Sequence, residues 1–311
     1  MPGLVLSLTS NPKIPLALRR KIGKAFIKRD GRDFCIEIDG RPFEGKLDNY
    51  IEWLAYVTRD YFEYTYINLL RSLLSGGTAL DVGANVGNHT HAFSGFFDTV
   101  HAFEPFGKVA DRLEAKAAKL SNVEVHRIAL SDQVGELSFE APADGNWGTG
   151  KITDGGSLKV PVEIGDSYLR DRIDGVNFIK IDVEGHELRV LRGLTEIIRK
   201  FRPVVMFEVP SEWRKNGWEG LEEAGEIFPG DYLFVGFRGQ STFPVQTSLA
   251  KAVPVDCHNP ASISGKLTYL LGYGSERGTG RSPVQLSHHV HRRPIAASRE
   301  EDTVLAAHVH P

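Results

Sequence analysis

Between residues 78 and 237 short apolar runs alternate with segments of helical periodicity, and few folds accept that pattern. Thr78–Val82 (TALDV), Thr99–Phe103 (TVHAF), Val123–Ile128, Asn177–Ile181 (NFIKI), Pro203–Val209 (PVVMFEV) and Tyr232–Phe237 (YLFVGF) read as strands, the last near an edge. A helix is predicted from about Asn88. Another is predicted over Gly107–Leu120, where Val109, Leu113, Ala117 and Leu120 recur at helical spacing. A third runs from about Glu187 to Lys200, with Leu188, Leu191, Leu194, Ile198 and Phe201 on one face. Strands separated by helices must pair in parallel, with helices covering both sheet faces. The expected class is therefore α/β, a doubly wound sheet.

The flanks differ from this body. DFCIEIDGRPFEG alternates around Asp39-Gly40, which predicts a hairpin within an N-terminal appendage of residues 1–48. Asn49 to Leu74 is aromatic-rich, lacks Gly and Pro, and reads as one or two helices opening the main domain, residues 49–272. A polar, Gly-rich excursion from Ala141 to Leu158 reads as a loop near the site. Residues 273–311 have little apolar content until their end and are expected to be a disordered tail. The tail holds His288, His289, His291, His308 and His310; a solvated tail is preferred there over a metal site.

The totals exclude several classes. A net charge of -3 disfavours a nucleic-acid partner. Cys35 and Cys257 are the two cysteines, without zinc spacing or a disulfide framework, so no metal is expected and a reducing cytoplasm suits the chain. The N-terminal apolar stretch precedes its positive charges and contains prolines, unlike a signal peptide. No apolar run would span a bilayer, and the protein is expected to be soluble.

The site signal lies in ALDVGANVGNHTHAF, Ala79 to Phe93. The first strand ends in Asp81 and turns through Gly83-Ala84-Asn85-Val86-Gly87 into a helix. Ligands of open α/β sheets sit at such carboxyl ends, beside free helix N–H groups. Gly83 and Gly87 are expected to admit a ligand close to the backbone. Glu104 ends the second strand, 21 residues after Gly83, where a carboxylate can meet ribose hydroxyls, and Pro105 follows it. The dinucleotide pattern fails, because Asn85 and Asn88 stand where the second and third glycines belong. No G-x-x-x-x-G-K-[ST] occurs either. The acid before the turn suits an ammonium group, with the turn N–H groups and Asn85 meeting a carboxylate, a combination that S-adenosylmethionine offers. Ser131 or Asp132, after the third strand, could bond an adenine edge or simply form a turn.

ALDVGANVGNHTHAF, VHAFEPF, IALSD and FIKIDVEGHELRVLRG, in this order, resemble the FkbM family of S-adenosylmethionine-dependent methyltransferases, from roughly Tyr61 to Val209. The resemblance implies a Rossmann-like methyltransferase domain with a seven-stranded sheet. It also implies O-methylation of hydroxyls on a sugar, glycolipid or secondary metabolite. By resemblance Asp81, Gly83, Asn85, Gly87 and Glu104 are cofactor positions, with Glu63 before the first strand, and Asp182 lies beside the transferred methyl. Ala84 and Pro105 are counted with that cofactor site.

Methyl transfer is an in-line displacement that requires alignment, exclusion of water and removal of a hydroxyl proton. IDVEGHE supplies the candidates: Asp182 to orient acceptor or cofactor, and Glu184 or His186 as base, while Glu187 reads as a helix-start carboxylate. His89 reads as a pocket wall or second base, and Glu208 as part of an acceptor site. The expected partner is a small molecule or glycan bearing a hydroxyl; the oligomeric state is left open. Two other classes compete. An NAD-dependent oxidoreductase or epimerase would need the missing glycines and a Tyr-x-x-x-Lys pair; a non-catalytic binding protein would bind cofactor without transferring methyl.

Overall fold

The structure, a computed structural model, describes residues 2–141, 150–153, 155–209, 219–237, 253–255 and 269–274. The chain begins with helices α1 (Pro2–Thr9) and α2 (Leu16–Phe26) and a hairpin of β1 (Asp33–Ile38) and β2 (Arg41–Lys46). Asp39 and Gly40 both take positive φ, 53° and 71°, as a two-residue turn matched to strand twist requires. Helix α3 (Tyr50–Thr58) starts where Asn49 Oδ1 accepts the N–H groups of Ile51 and Glu52. Helix α4 (Tyr64–Leu73) follows Glu63.

The body then runs β3 (Thr78–Val82), α5 (Asn88–Phe93), β4 (Thr99–Phe103), α6 (Gly107–Ala117), β5 (Val123–His126), β6 (Ala129–Ser131), β7 (Gly135–Glu140), β8 (Lys151–Ile152) and β9 (Leu158–Ile164). It continues α7 (Gly165–Leu169), β10 (Phe178–Ile181), α8 (Glu187–Gly193), α9 (Thr195–Phe201) and β11 (Val204–Glu208). Last come α10 (Glu219–Ile227), β12 (Tyr232–Phe237), β13 (Val253–Val255) and β14 (Tyr269–Gly274).

One sheet has the order β13-β12-β14-β11-β10-β3-β4-β5. Its members from β11 to β5 are parallel, whereas β14 runs antiparallel to β11 and β12. The chain moves outward from β3 through β4 to β5, then returns to β10 on the other side of β3. That reversal is a topological switch point, and it opens a crevice at the carboxyl ends of β3 and β10.

Strand alternation assigns each residue to a face. Leu80, Val82, Phe103, Ile179, Ile181, Val205 and Phe207 pack against Val190, Leu191, Leu194 and Ile198 of α8 and α9. Ala79, Val100, Phe178, Val204 and Met206 face the other way, onto Phe93, Phe97, Ile67 and the hairpin's Ile36, Ile38 and Phe43. The hairpin thus shares a core with the sheet. Asp81 and Lys180 fall on this second face by the same alternation.

Several sequence expectations change. A second sheet, β6-β9-β7-β8, was not read from the sequence. The strand expected over Val123–Ile128 ends at His126, because Ala129–Ser131 leaves for that second sheet and pairs with β9. The loop expected over Ala141–Leu158 contains β8 and the first residue of β9, while 142–149 and 154 lie outside the described residues. The helix expected to reach Leu120 ends at Ala117. The helix expected over Glu187–Lys200 is two helices, divided at Leu194 (φ −115°, ψ 14°). Strand β13 makes eight strands where the resemblance implies seven. The expected tail and its histidines lie outside the described residues, apart from Tyr273 and Gly274 in β14.

The end of α8, just before the break, lies close against β6. A Cβ on Gly193 would lie 1.9 Å from the Ser131 carbonyl oxygen, so α8 presses directly on β6. Gly193→Ala is therefore expected to lower stability by about 1–3 kcal/mol through overpacking. Gly107→Ala, with nothing within 4 Å of the added carbon, should leave the urea midpoint unchanged or slightly raised.

Candidate active site

The turn after β3 is set by its neighbours. Gly83 and Ala84 donate their N–H groups to the Phe103 carbonyl at 3.1 and 2.9 Å, which fastens the turn to β4. Gly83, Asn85 and Gly87 all have positive φ, 78°, 50° and 79°. The space beside the glycines is taken by protein rather than kept for a ligand. A Cβ on Gly83 would sit 1.9 Å from the Asp182 carbonyl oxygen, and one on Gly87 2.7 Å from Leu113 Cδ1. Gly83 therefore lets β3 and β10 close on each other at their carboxyl ends.

Glu104 caps this arrangement. Its Oε2 accepts the Asn85 N–H at 3.0 Å and its Oε1 the Phe106 N–H at 2.9 Å. A carboxylate offers about four lone-pair directions, so two remain for a ligand. Burial pushes the Glu104 carboxyl up to about 7, against the pull of the two N–H bonds.

Glu104 lines a cleft of about 620 Å³, counted with its open mouth. Asn85, Gly83 and Pro105 lie along one side; Asp182, Glu184 and His186 lie along another. Ile128, Leu130, Phe106, Phe139 and Ile152 supply an apolar wall, with the Phe106 and Phe139 rings stacked at 5.4 Å. The mixed apolar and polar lining suits a ligand that carries both a flat ring and hydroxyl groups. The second sheet provides much of this wall.

Asp81 is placed differently from the sequence expectation. It is fully buried and does not line the cleft. Its Oδ2 accepts the Thr90 hydroxyl at 2.6 Å, and its Oδ1 lies 3.7 Å from Lys180 Nζ. Lys180, equally buried in β10, lies 3.2 Å from Asp182 Oδ2. The nearby acids Asp182, Asp81 and Glu63 outweigh the desolvation of Lys180 and hold its ammonium charged. Asp182 is desolvated too, yet Lys180 keeps its carboxyl below the usual range. Glu208, hydrogen-bonded to Asp182, goes the other way: burial and the Asp182 charge push it up to about 9. The pair is a carboxylate beside a protonated acid. Lys180 was missed in the sequence, where a lysine inside a wholly apolar strand was the available signal.

The turn after β10 completes the rim. Glu184 has φ 55°, a strained conformation for a non-glycine residue, and it is exposed at the cleft mouth. Desolvation and the Asp182 charge raise its carboxyl to about 7. Glu187 folds back so that Oε1 accepts the N–H groups of Val183 and Gly185 at 3.1 and 3.2 Å. His186 is buried, with Nε2 3.0 Å from Ser131 Oγ, and burial lowers its pKa to about 4. Glu63 and His89 lie on the Lys180 side, with Oε2 and Nε2 3.3 Å apart.

The structure thus brings Gly83, Asn85, Glu104, Pro105, Asp182, Glu184 and His186 to one cleft. Ala84, Gly87, Ser131 and Asp132 stand behind it. Asp132 is engaged by Arg189 and Arg192 at 3.1 and 3.3 Å, which leaves it turned to an ion-pair network rather than the cleft.

Lys180→Met should destabilise the fold by about 3–5 kcal/mol, since it leaves two carboxylates without their cation. Calorimetric unfolding checks this. A second test concerns pH. Glu208 holds its proton to about 9 in the fold but only to about 4.5 when unfolded. Its contribution is complete below the unfolded value and is lost as pH rises through 9. The ligand-free chain should lose more stability between pH 7 and 9.5 than Glu208→Gln does, measured by urea unfolding.

Comparison with known proteins follows the same region. Residues 81–233 match the methyltransferase FkbM domain model. The hexuronic acid methyltransferase AglP of Haloferax volcanii is 34% identical over 128 residues, covering 40% of this chain. The chain spans about half, 53%, of that relative's length. Among solved structures, methyltransferase FkbM from Methylobacillus flagellatus shares 15% identity at a TM-score of 0.42, covering 71% of this chain and 52% of that one. SMU.1697c of Streptococcus mutans, solved in complex with SAH, shares 9% identity at a TM-score of 0.41, covering 68% and 96%. The Gly-turn from Gly83 and the acids Glu104, Asp182 and Glu184 that build the cleft lie inside the segment that matches the methyltransferase FkbM domain model.

Proposed function

We propose that this chain is an S-adenosylmethionine-dependent O-methyltransferase acting on a sugar hydroxyl. The observation that carries the reading is the cleft at the switch point, where Glu104 and the Asn85 turn share a partly apolar lining with Asp182 and Glu184. The residues fit that cofactor. Glu104 has two lone pairs left for ribose hydroxyls, and the Phe106, Ile128 and Leu130 wall suits an adenine ring. Asp182, Glu184 and Glu63 give the other end an acidic field, which favours a sulfonium and an ammonium and opposes a diphosphate. When bound, the cofactor supplies an already activated methyl group.

The protein's own work is then alignment and proton removal. Asp182, kept ionised by Lys180, accepts a hydrogen bond from an acceptor hydroxyl or an amino group. Glu184 is the base: it stands at the cleft mouth with a pKa near 7, where proton acceptance at neutral pH is most effective. His186 is less suited, since at about 4 it is a weak base and its Nε2 already meets Ser131. Its role is to fix the β6 edge against α8. The AglP relative, a hexuronic acid methyltransferase, supports a sugar acceptor. Lys151, which lines the same cleft, offers a cation for an acidic sugar.

Glu184→Gln should lower kcat by about 10²–10⁴-fold on hexuronic acid acceptors. His186→Gln should cost much less. Mass-spectrometric detection of methylated sugar checks both, and equal losses in the two variants would contradict the assignment of the base.

A further inference from the structure

On the opposite face of the sheet from Lys180, His101 of β4 and Glu124 and His126 of β5 come together. Register pairs His101 with Glu124 and Phe103 with His126, so the alternation puts all three side chains on one face. His101 Nδ1 lies 3.0 Å from His126 Nε2 and 3.5 Å from Glu124 Oε2; His126 Nε2 lies 3.8 Å from Glu124 Oε1. One ligand atom from each residue falls within 4.8 Å of the others. Both imidazoles are buried, whereas Glu124 is 58% exposed and leaves an approach from solvent.

We propose that His101, Glu124 and His126 form a site for a divalent first-row transition ion of the zinc type. Three arguments support it. Zinc holds nitrogen and oxygen at about 2.0–2.2 Å, which sets tetrahedral ligand atoms roughly 3.3 Å apart, close to the 3.0 and 3.5 Å from His101 Nδ1 to His126 Nε2 and to Glu124 Oε2. Two imidazoles and one carboxylate are a donor set that zinc accepts, with a fourth position for water. His126 Nδ1 lies 3.1 Å from the Tyr168 hydroxyl, an outer partner that turns Nε2 toward the other two ligands.

The competing arrangement is an ion-free chain of hydrogen bonds from Glu124 through His101 and His126 to Tyr168. The positive group facing the site is Arg172, stacked 4.1 Å above the Tyr168 ring; Glu124 offsets it.

The site adjoins the cofactor cleft without sharing a polar group with it. The His126 ring stacks on Phe103 at 4.6 Å, and Phe103 lines the cleft. The His126 carbonyl accepts the Glu104 N–H at 3.0 Å. A bound ion would stiffen the end of β5 on which Glu104 depends, while taking no part in methyl transfer.

The test is Co²⁺ titration of the chelator-treated full chain, read by the visible d–d bands of a tetrahedral site. Wild type should take up one equivalent in this way. Glu124→Ala, a change at an exposed side chain, should abolish the bands, and Tyr168→Phe should weaken binding about tenfold. His288, His289 and His291 offer a rival site, so a variant with all three changed to Ala is titrated alongside; it should retain the bands. Absence of tetrahedral bands, their persistence in Glu124→Ala, or their loss only in the tail variant would overturn the proposal.

Discussion

The buried ammonium of Lys180 is the interaction on which the site depends. It lies between Asp81 and Asp182, at 3.7 and 3.2 Å, in a strand otherwise made of Phe178, Ile179 and Ile181. Desolvating these charges costs several kcal/mol each, and only close pairing offsets it. The pairing fixes the carboxyl ends of β3 and β10 relative to each other. It also orders the protons nearby: Asp182 remains ionised and Glu208 retains its proton. One cation thereby decides which carboxyl group accepts hydrogen bonds and which donates.

The backbone around that cation is closely constrained. Gly83 has no room for a side chain because the Asp182 carbonyl occupies it. Asn85 and Glu184, both non-glycine residues with positive φ, face the cleft from its two sides. Their conformations are held by Glu104 on one side and by Glu187, through Val183 and Gly185, on the other. Buried carboxylates thus set the shape of two turns whose own preferences lie elsewhere. The cleft is preorganised, as electrostatic catalysis requires.

Much of this was legible in the sequence, and the rest was hidden for identifiable reasons. TALDV, TVHAF, NFIKI and PVVMFEV are short, predominantly apolar runs, and buried parallel strands have that signature. Glu104, Asp182 and Glu184 end strands or turns at one edge, so topology alone brings them together. Asp81 also lies near a strand end, but its side chain points away from the cleft, to the Thr90 hydroxyl and Lys180. The second sheet is harder to read because β9, LKVPVEI, carries a proline within its alternation and β8 has two residues. Gly193, next to the break at Leu194, meets the Ser131 carbonyl across 62 positions, a contact that no local pattern records. Glu-x-His at 124–126 was a visible pair on one strand face, but its third member lay on another strand.

The central claim is that the cleft beside Glu104 receives an adenosyl sulfonium cofactor. Isothermal titration of the full chain with S-adenosylhomocysteine, run beside NAD, tests it most directly. The account expects micromolar binding of S-adenosylhomocysteine alone, lost in Glu104→Ala, which removes the ribose acceptor. Binding of NAD instead, or undiminished binding of S-adenosylhomocysteine by Glu104→Ala, would contradict it.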